Sequence, residues 1–530
     1  MKLAAIFKDG MILQRNRVNR IWGTAKKKEE ITIIFSGRQY HAAKESDRWY
    51  ADLAPMDAGG PYRMQIKSSL TGETVIGDIW FGEVWLAGGQ SNMELPLEES
   101  SNGAAVCREA DFDLIRFYNV VKRAKADEDL LELEKKTKWC RAKKDECRSM
   151  SAVAFYFARQ LHETLKVPVG IIDCYWGGTS ATCWMSRKKA EGIPEAEGYI
   201  AEWDEVISSK SQKQYEEEMI IYDEQYRIWN EKTEKLKEER PGIKWEEINE
   251  LAGRCPWPQP MGADSPFRPF GLYDTMIKRT APYGIKGFLY YQGEEDRSRA
   301  SYYYKLNCAV IDQWREVFSI GEKTKLPFIL TQLPMYLEKG CTDEHNFTAL
   351  RQQQTLVSEK MENVAMAVLI DCGEFDNIHP VDKETPGKRL ALQALGRFYD
   401  REEMFDNMKI RHAVYEGAKV RVSFENTYGE VRIRYIDEHT LTACSEESEK
   451  NAGLVSAGHI LGFEVSGDGV NFYAAQAAVA DEEFLISAKE VERPVALRYG
   501  WMDYGVANVY NAAGLPLAPF YDSLNYSKRN

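Results

Sequence analysis

Val84-Trp85-Leu86-Ala87-Gly88-Gly89-Gln90-Ser91-Asn92-Met93 is the stretch on which the reading of the fold rests. Its apolar half predicts a buried strand, and two glycines end that strand before a serine is presented. Glycine has no Cβ and enters backbone conformations that other residues avoid, so the pair permits a sharp exit from the sheet. A serine hydroxyl held at the carboxyl edge of a sheet is placed for nucleophilic attack. This is the logic of a nucleophile elbow, although the spacing is not Gly-x-Ser-x-Gly. The same residues suit an ordinary βα turn in which Ser91 caps a helix.

A nucleophilic serine needs a base. Of the seven histidines, only His379 has an acid three residues before it, in Asp376-Asn377-Ile378-His379-Pro380. A carboxylate at that spacing can accept from one imidazole nitrogen while the other faces the serine, which fixes the tautomer and stabilises the imidazolium. The motif follows a predicted buried strand, Val364 to Ile370, so its loop can reach the same sheet edge as Ser91.

Two further apolar runs end in small or amide-bearing residues. Val169 to Trp176 is followed by Gly177-Gly178-Thr179-Ser180, and Gly287 to Tyr291 by Gln292-Gly293-Glu294-Glu295-Asp296. Acyl transfer requires donors aimed at a developing oxyanion. The backbone N–H groups of Ser91 and of Gly177 or Gly178, with the amide of Gln292, are the candidates. Gln90, Asn92, Gly177, Glu294 and Glu295 are candidates for a substrate pocket.

Gly88-Gly89-Gln90-Ser91-Asn92-Met93, Trp176-Gly177-Gly178-Thr179, Tyr291-Gln292-Gly293-Glu294 and Asp376-x-x-His379-Pro380 together resemble the sialate O-acetylesterase family of the SGNH-hydrolase superfamily. Bacterial acetylxylan esterases share the same blocks. The start, Phe7 to Arg15, and the end, Arg498 to Trp501 with Gly514 to Phe520, are similar to the family as well, so the resemblance spans nearly the whole chain. It implies Ser91 as nucleophile, His379 as base, Asp376 as the orienting acid, and Gly178 and Gln292 in the oxyanion hole. It also implies an α/β fold: an SGNH-type three-layer α/β/α hydrolase domain with a parallel sheet. One departure is that the third block continues Glu295-Asp296 here, where the family usually has Ser-Asn or Ser-Asp; an extra carboxylate there alters substrate contacts.

The chain has 530 residues and a net charge of −13. That length predicts two to four domains, and the acidic balance argues against nucleic acid, whose phosphates need clustered cations. No segment approaches the roughly 18 to 20 apolar residues of a membrane span. The first nine residues are charged and lack a signal peptide's apolar region, which leads to an expected cytoplasmic location. Ten scattered cysteines include no Cys-x-x-Cys pair, so neither a zinc site nor any other cofactor is expected.

Short β-rich runs such as Ile31–Phe35 and Trp49–Leu53 predict an N-terminal β domain over residues 1–78. From 79 to 400 strands alternate with helices, the pattern of a parallel sheet covered on both faces. Ser151–Lys166 and Tyr302–Phe318 are its clearest amphipathic helices. A charged stretch from about 187 to 262 reads as a helical insertion beside the site, with Trp203, Trp229, Trp245 and Trp257 as candidates for stacking on a sugar. A C-terminal β-sandwich is expected over 401–530. These readings converge on a metal-independent carbohydrate O-acetylesterase acting on an acetylated carbohydrate, with a homo-oligomer as a further candidate partner state. The rivals are an acetylxylan or other plant-oligosaccharide deacetylase with the same chemistry, a non-catalytic glycan-binding protein, and a lipid or thioester hydrolase.

Overall fold

The run around Trp85 is the last half of an 18-residue strand, β1 (Gly72–Gly89). In the computed structural model, which describes residues 1–144, 146–240, 242–321, 325–402, 404–436, 459–480 and 483–524, that strand organises the chain. With β2 (Asp111–Asn119), β3 (Trp139–Lys143), β4 (Val169–Tyr175), β5 (Gly287–Tyr291), β6 (Phe328–Gln332) and β7 (Val364–Val368) it forms a sheet of order β3-β2-β4-β1-β5-β6-β7. All neighbours are parallel except β3, which runs antiparallel to β2.

The parallel strands are buried on both faces, which is why their sequences read as continuous apolar runs. Trp85, Ala87, Ile171, Leu289 and Ile329 point into one apolar cluster, and Val84, Leu86, Ile172, Phe288 and Leu330 into another. The first cluster includes α2 (Ala152–Leu165). Ser151 caps that helix by accepting from the Ala154 N–H, and Lys166 in the left-handed region ends it. The second includes Leu306, Val310 and Trp314 of a helix over Ala300–Phe318.

The boundary expected at 78/79 falls inside β1. Its first residues pair antiparallel with Gly59–Ser68, while its end lies between β4 and β5. Four N-terminal strands, Ile12–Gln14, Ile31–Phe35, Arg38–His41 and Gly59–Ser68, therefore share a sheet with the parallel core, while Lys2–Leu3, Asn19–Thr24, Ala43–Glu45 and Arg48–Leu53 form a separate four-stranded sheet. Beyond residue 400 the described strands form two four-stranded sheets, one with Lys409–Glu416 and Lys419–Glu425, the other with Phe463–Ser466 and Ala496–Tyr499, and a two-stranded pair of Arg432–Ile433 with Val509–Tyr510. Polar contacts tie this region to the core: Tyr510 donates to Asp371, and the Asp503 carboxylate accepts the Asn346 and Thr348 N–H groups. The charged stretch is helical over Glu197–Ser209, Gln212–Glu239 and Trp245–Ala252. Among the described residues no helix is long and apolar enough to cross a membrane.

Candidate active site

Register brings the site loops together. Gly89 pairs with Tyr175 of β4 and with Tyr291 of β5, so three strands end at one level and their following loops meet. In open α/β sheets ligands bind at this edge. Gly89 has φ +129°, and a Cβ there would stand 2.1 Å from the Tyr291 carbonyl oxygen. The second glycine of the opening motif is thus required both by backbone conformation and by close approach.

Ser91 begins a one-turn helix, α1 (Ser91–Glu94). Its N–H is one of the first-turn donors that no intrahelical carbonyl satisfies. His379 Nε2 lies 2.8 Å from Ser91 Oγ, although 288 positions separate the two in the sequence. Both residues are half-buried and reach the surface. Burial, helped by the nearby Lys383 ammonium, pushes the His379 imidazole down to about 4, so it is neutral near pH 7 and can take the serine proton.

The predicted bond from Asp376 to His379 is not formed. Asp376 sits in the left-handed region at φ +57°, and its carboxylate accepts from the Lys339 N–H (2.8 Å), Arg254 (2.9 Å) and Asn249 (3.1 Å). Burial acts upward on this carboxyl, but those three donors hold it below the usual carboxylate range. Asn249 and Arg254 come from the insertion. A guanidinium there competes for a carboxylate that the local Asp-x-x-His spacing would otherwise leave to the imidazole.

Gly177 and Gly178 are distinguished by their partners. The Gly177 N–H donates to Glu94 Oε2 at 2.6 Å, so Gly178 is the donor of the pair that remains for an oxyanion. Gly178 has φ +70°. Gln292 is turned inward: its amide N–H groups go to the Thr179 carbonyl (3.0 Å) and Asp296 Oδ2 (2.6 Å). Among the described residues its side-chain oxygen is buried without a hydrogen-bond partner. Gln292 therefore braces the loop and is not placed as an oxyanion donor.

The pocket candidates divide in the same way. Gln90 is buried and accepts the Gly293 and Glu295 N–H groups. Asn92 is also buried, and both N–H donors and the oxygen of its amide group are engaged. It donates to Glu294 Oε1 (2.5 Å) and to the Ile378 carbonyl (3.0 Å), and accepts from Lys383 Nζ (2.7 Å). Because Asn92 follows Ser91 and Ile378 precedes His379, this amide staples the serine turn to the histidine loop. Glu294 and Lys383 fix its orientation from beneath, while burial raises the Glu294 carboxyl and lowers Lys383 to about 8. Gly177 lies beside Ser91, its Cβ position 3.2 Å from the serine Cβ. Glu295 is half-buried at the surface, with its carboxyl pushed up to about 7 by burial and the adjacent Asp296.

Sequence reasoning missed Glu94, Asn249, Arg254 and Lys383. Lys383, four residues after His379, carries no local signal, because its partner Asn92 is 291 positions away. Gln292 and Asp296 stand only four residues apart, and that spacing is the one clue to the inward amide.

Residues 264–395 match the family described as carbohydrate esterase, sialic acid-specific acetylesterase. The sialate O-acetylesterase of Mus musculus is 25% identical over 99% of this chain and 95% of its own length. The Homo sapiens sialate O-acetylesterase is 26% identical over 76% of this chain and 72% of its own. The crystal structure of a carbohydrate acetylesterase from Xanthomonas citri superposes with a TM-score of 0.74 at 26% identity, covering 99% of both chains. The resemblance to the sialate O-acetylesterase family, carried by four short blocks in the sequence, thus extends along the chain.

Proposed function

We propose that this protein is a carbohydrate O-acetylesterase that removes acetyl groups from sugar hydroxyls through a Ser91–His379 pair. The observation that carries this reading is the 2.8 Å contact between Ser91 Oγ and His379 Nε2 at the carboxyl edge of the parallel sheet. The layer of β1 to β7 with its helices is, on this reading, an SGNH-type α/β/α hydrolase domain between two β-rich regions.

His379 Nε2 accepts the Ser91 proton as Oγ attacks the acetyl carbonyl carbon. The N–H groups of Ser91 and Gly178 donate to the oxyanion that forms. Collapse of the tetrahedral intermediate breaks the C–O bond to the sugar, and the departing alkoxide takes the proton from His379. Water, deprotonated by the same imidazole, then releases acetate and restores the serine. Asp376 is a positioning residue: with Arg254, Asn249 and the Lys339 N–H it anchors the loop that carries His379.

Acetate release from acetylated xylooligosaccharides, mannooligosaccharides and 9-O-acetylated sialic acid tests the reading and separates a sialate esterase from an acetylxylan esterase. Absence of acetate from every member of the panel defeats it.

Two consequences test the mechanism. The base must be neutral, so activity is present above the His379 pKa and lost as pH falls through it. The acid limb of kcat/KM is therefore expected to have its midpoint near 4. A midpoint at or above about 6.5, the ordinary histidine value, would mean that a carboxylate raises it in the working enzyme. Second, Asp376→Asn is expected to lower kcat by about 10- to 100-fold, the cost of a misplaced loop. A fall of about 10⁴, as seen when a triad acid is lost, would give Asp376 the orienting role instead.

A further inference from the structure

The insertion's tryptophans differ in what they can do. Trp203 is 9% exposed. Trp229 donates to the Gly253 carbonyl and stacks on Trp245 (ring centroids 6.5 Å apart, 18° between planes), and Lys237 lies over Trp245. Trp229 and Trp245 serve the insertion's own packing, and Trp203 packs edge-to-face on Phe270, which lies beyond it. Trp257 is 48% exposed.

Trp257 also stands at the site. Its Cη2 and Cζ2 atoms lie 2.1 and 2.5 Å from the point a Gly178 Cβ would occupy. The preceding glycine touches Ser91, with its Cβ position 3.2 Å from the serine Cβ. Consecutive Cα atoms are 3.80 Å apart, so the near edge of the indole sits within about 12 Å of the Ser91 Cβ. That is close enough for a ring linked to the scissile ester. Phe267 meets it edge-to-face (5.2 Å, 83°). Three residues earlier, Arg254 is tied to Asp376 of the histidine loop, which anchors the segment from the other side. An aromatic residue held in place and left half exposed presents a flat apolar face to a ligand. A pyranose has an apolar C–H face and a polar rim, and that face complements a flat indole.

We infer that Trp257 is the stacking platform for the pyranose ring that bears the acetyl group, and that it sets the preference for sugar esters over ring-free esters. This rests on the esterase reading of Ser91 and His379.

The test compares kcat/KM for two sugar esters, acetylated xylotetraose and 9-O-acetylated N-acetylneuraminic acid, with that for trifluoroethyl acetate, which has no ring. Trp257→Leu keeps an apolar cover over Gly178 and removes the aromatic face. It is expected to lower the ratio of sugar-ester to ring-free kcat/KM at least tenfold, chiefly through KM, whereas Trp257→Phe keeps the ratio within about threefold. An unchanged ratio in Trp257→Leu overturns the proposal, because the indole would then only buttress Gly178. A wild-type protein that cleaves trifluoroethyl acetate and neither sugar ester also overturns it, while leaving the serine hydrolase reading intact. If the wild type cleaves none of the three, the esterase reading itself fails.

Discussion

Ser91→Ala is expected to lower kcat for acetyl-ester hydrolysis by about 10⁴- to 10⁶-fold, with His379→Ala in the same range and the double variant no worse than either single one. The two side chains act as one unit: without the imidazole the hydroxyl keeps its proton, and without the hydroxyl the imidazole has nothing to activate. Ser91 is only half-buried and begins a four-residue helix, so its loss leaves the fold intact and circular dichroism should be unchanged. Initial rates with p-nitrophenyl acetate give the measurement. Activity within tenfold of wild type in Ser91→Ala would remove the nucleophile from the account.

Gly89→Ala carries the next largest expected effect. The added methyl would stand 2.1 Å from the Tyr291 carbonyl oxygen, in a strand whose φ of +129° already disfavours any side chain. The obstacle is backbone, not the tip of a flexible side chain, so relief requires β1 and β5 to part at the level of the site. Overpacking and backbone strain together cost more than about 3 kcal/mol. Because Gln90 and Ser91 follow directly, kcat should fall at least about 100-fold even in molecules that fold. Thermal denaturation and rate measurements on the purified variant provide the check; an unchanged Tm with normal kcat would show that this close approach is not needed.

Much of the architecture was legible because its cause is local. Continuous apolar runs at Val84–Ala87, Val169–Tyr175, Gly287–Tyr291 and Val364–Val368 became parallel strands, since burial on both faces leaves no place for polar alternation. The stretch expected to be a helical insertion contains the helix Trp245–Ala252, and the expected Tyr302–Phe318 helix extends back to Ala300. The expected boundary at 78/79 falls within one continuous strand, and there is a physical reason for the change of pattern there. The first half of β1 is largely exposed and its second half is buried, so one strand reads as two environments. Part of the C-terminal expectation, from residue 437 to 458, lies outside the described residues.

The chemistry-bearing pair was found by elimination among seven histidines, which required only that a base carry a neighbouring acid. That acid then turned out to serve another partner. Composition and order alone pointed to a parallel α/β core, a candidate serine at its carboxyl edge and a candidate histidine to meet it, because strand burial and turn chemistry depend on neighbours in sequence. The three-dimensional structure decided which donor meets which acceptor: Arg254 donates to Asp376, the Gly177 N–H to Glu94, Gln292 to Asp296, and Lys383 to Asn92. Hydrogen bonds and buried charges are satisfied by whichever group is closest in space, and for most of these groups that partner lies scores to hundreds of residues away along the chain.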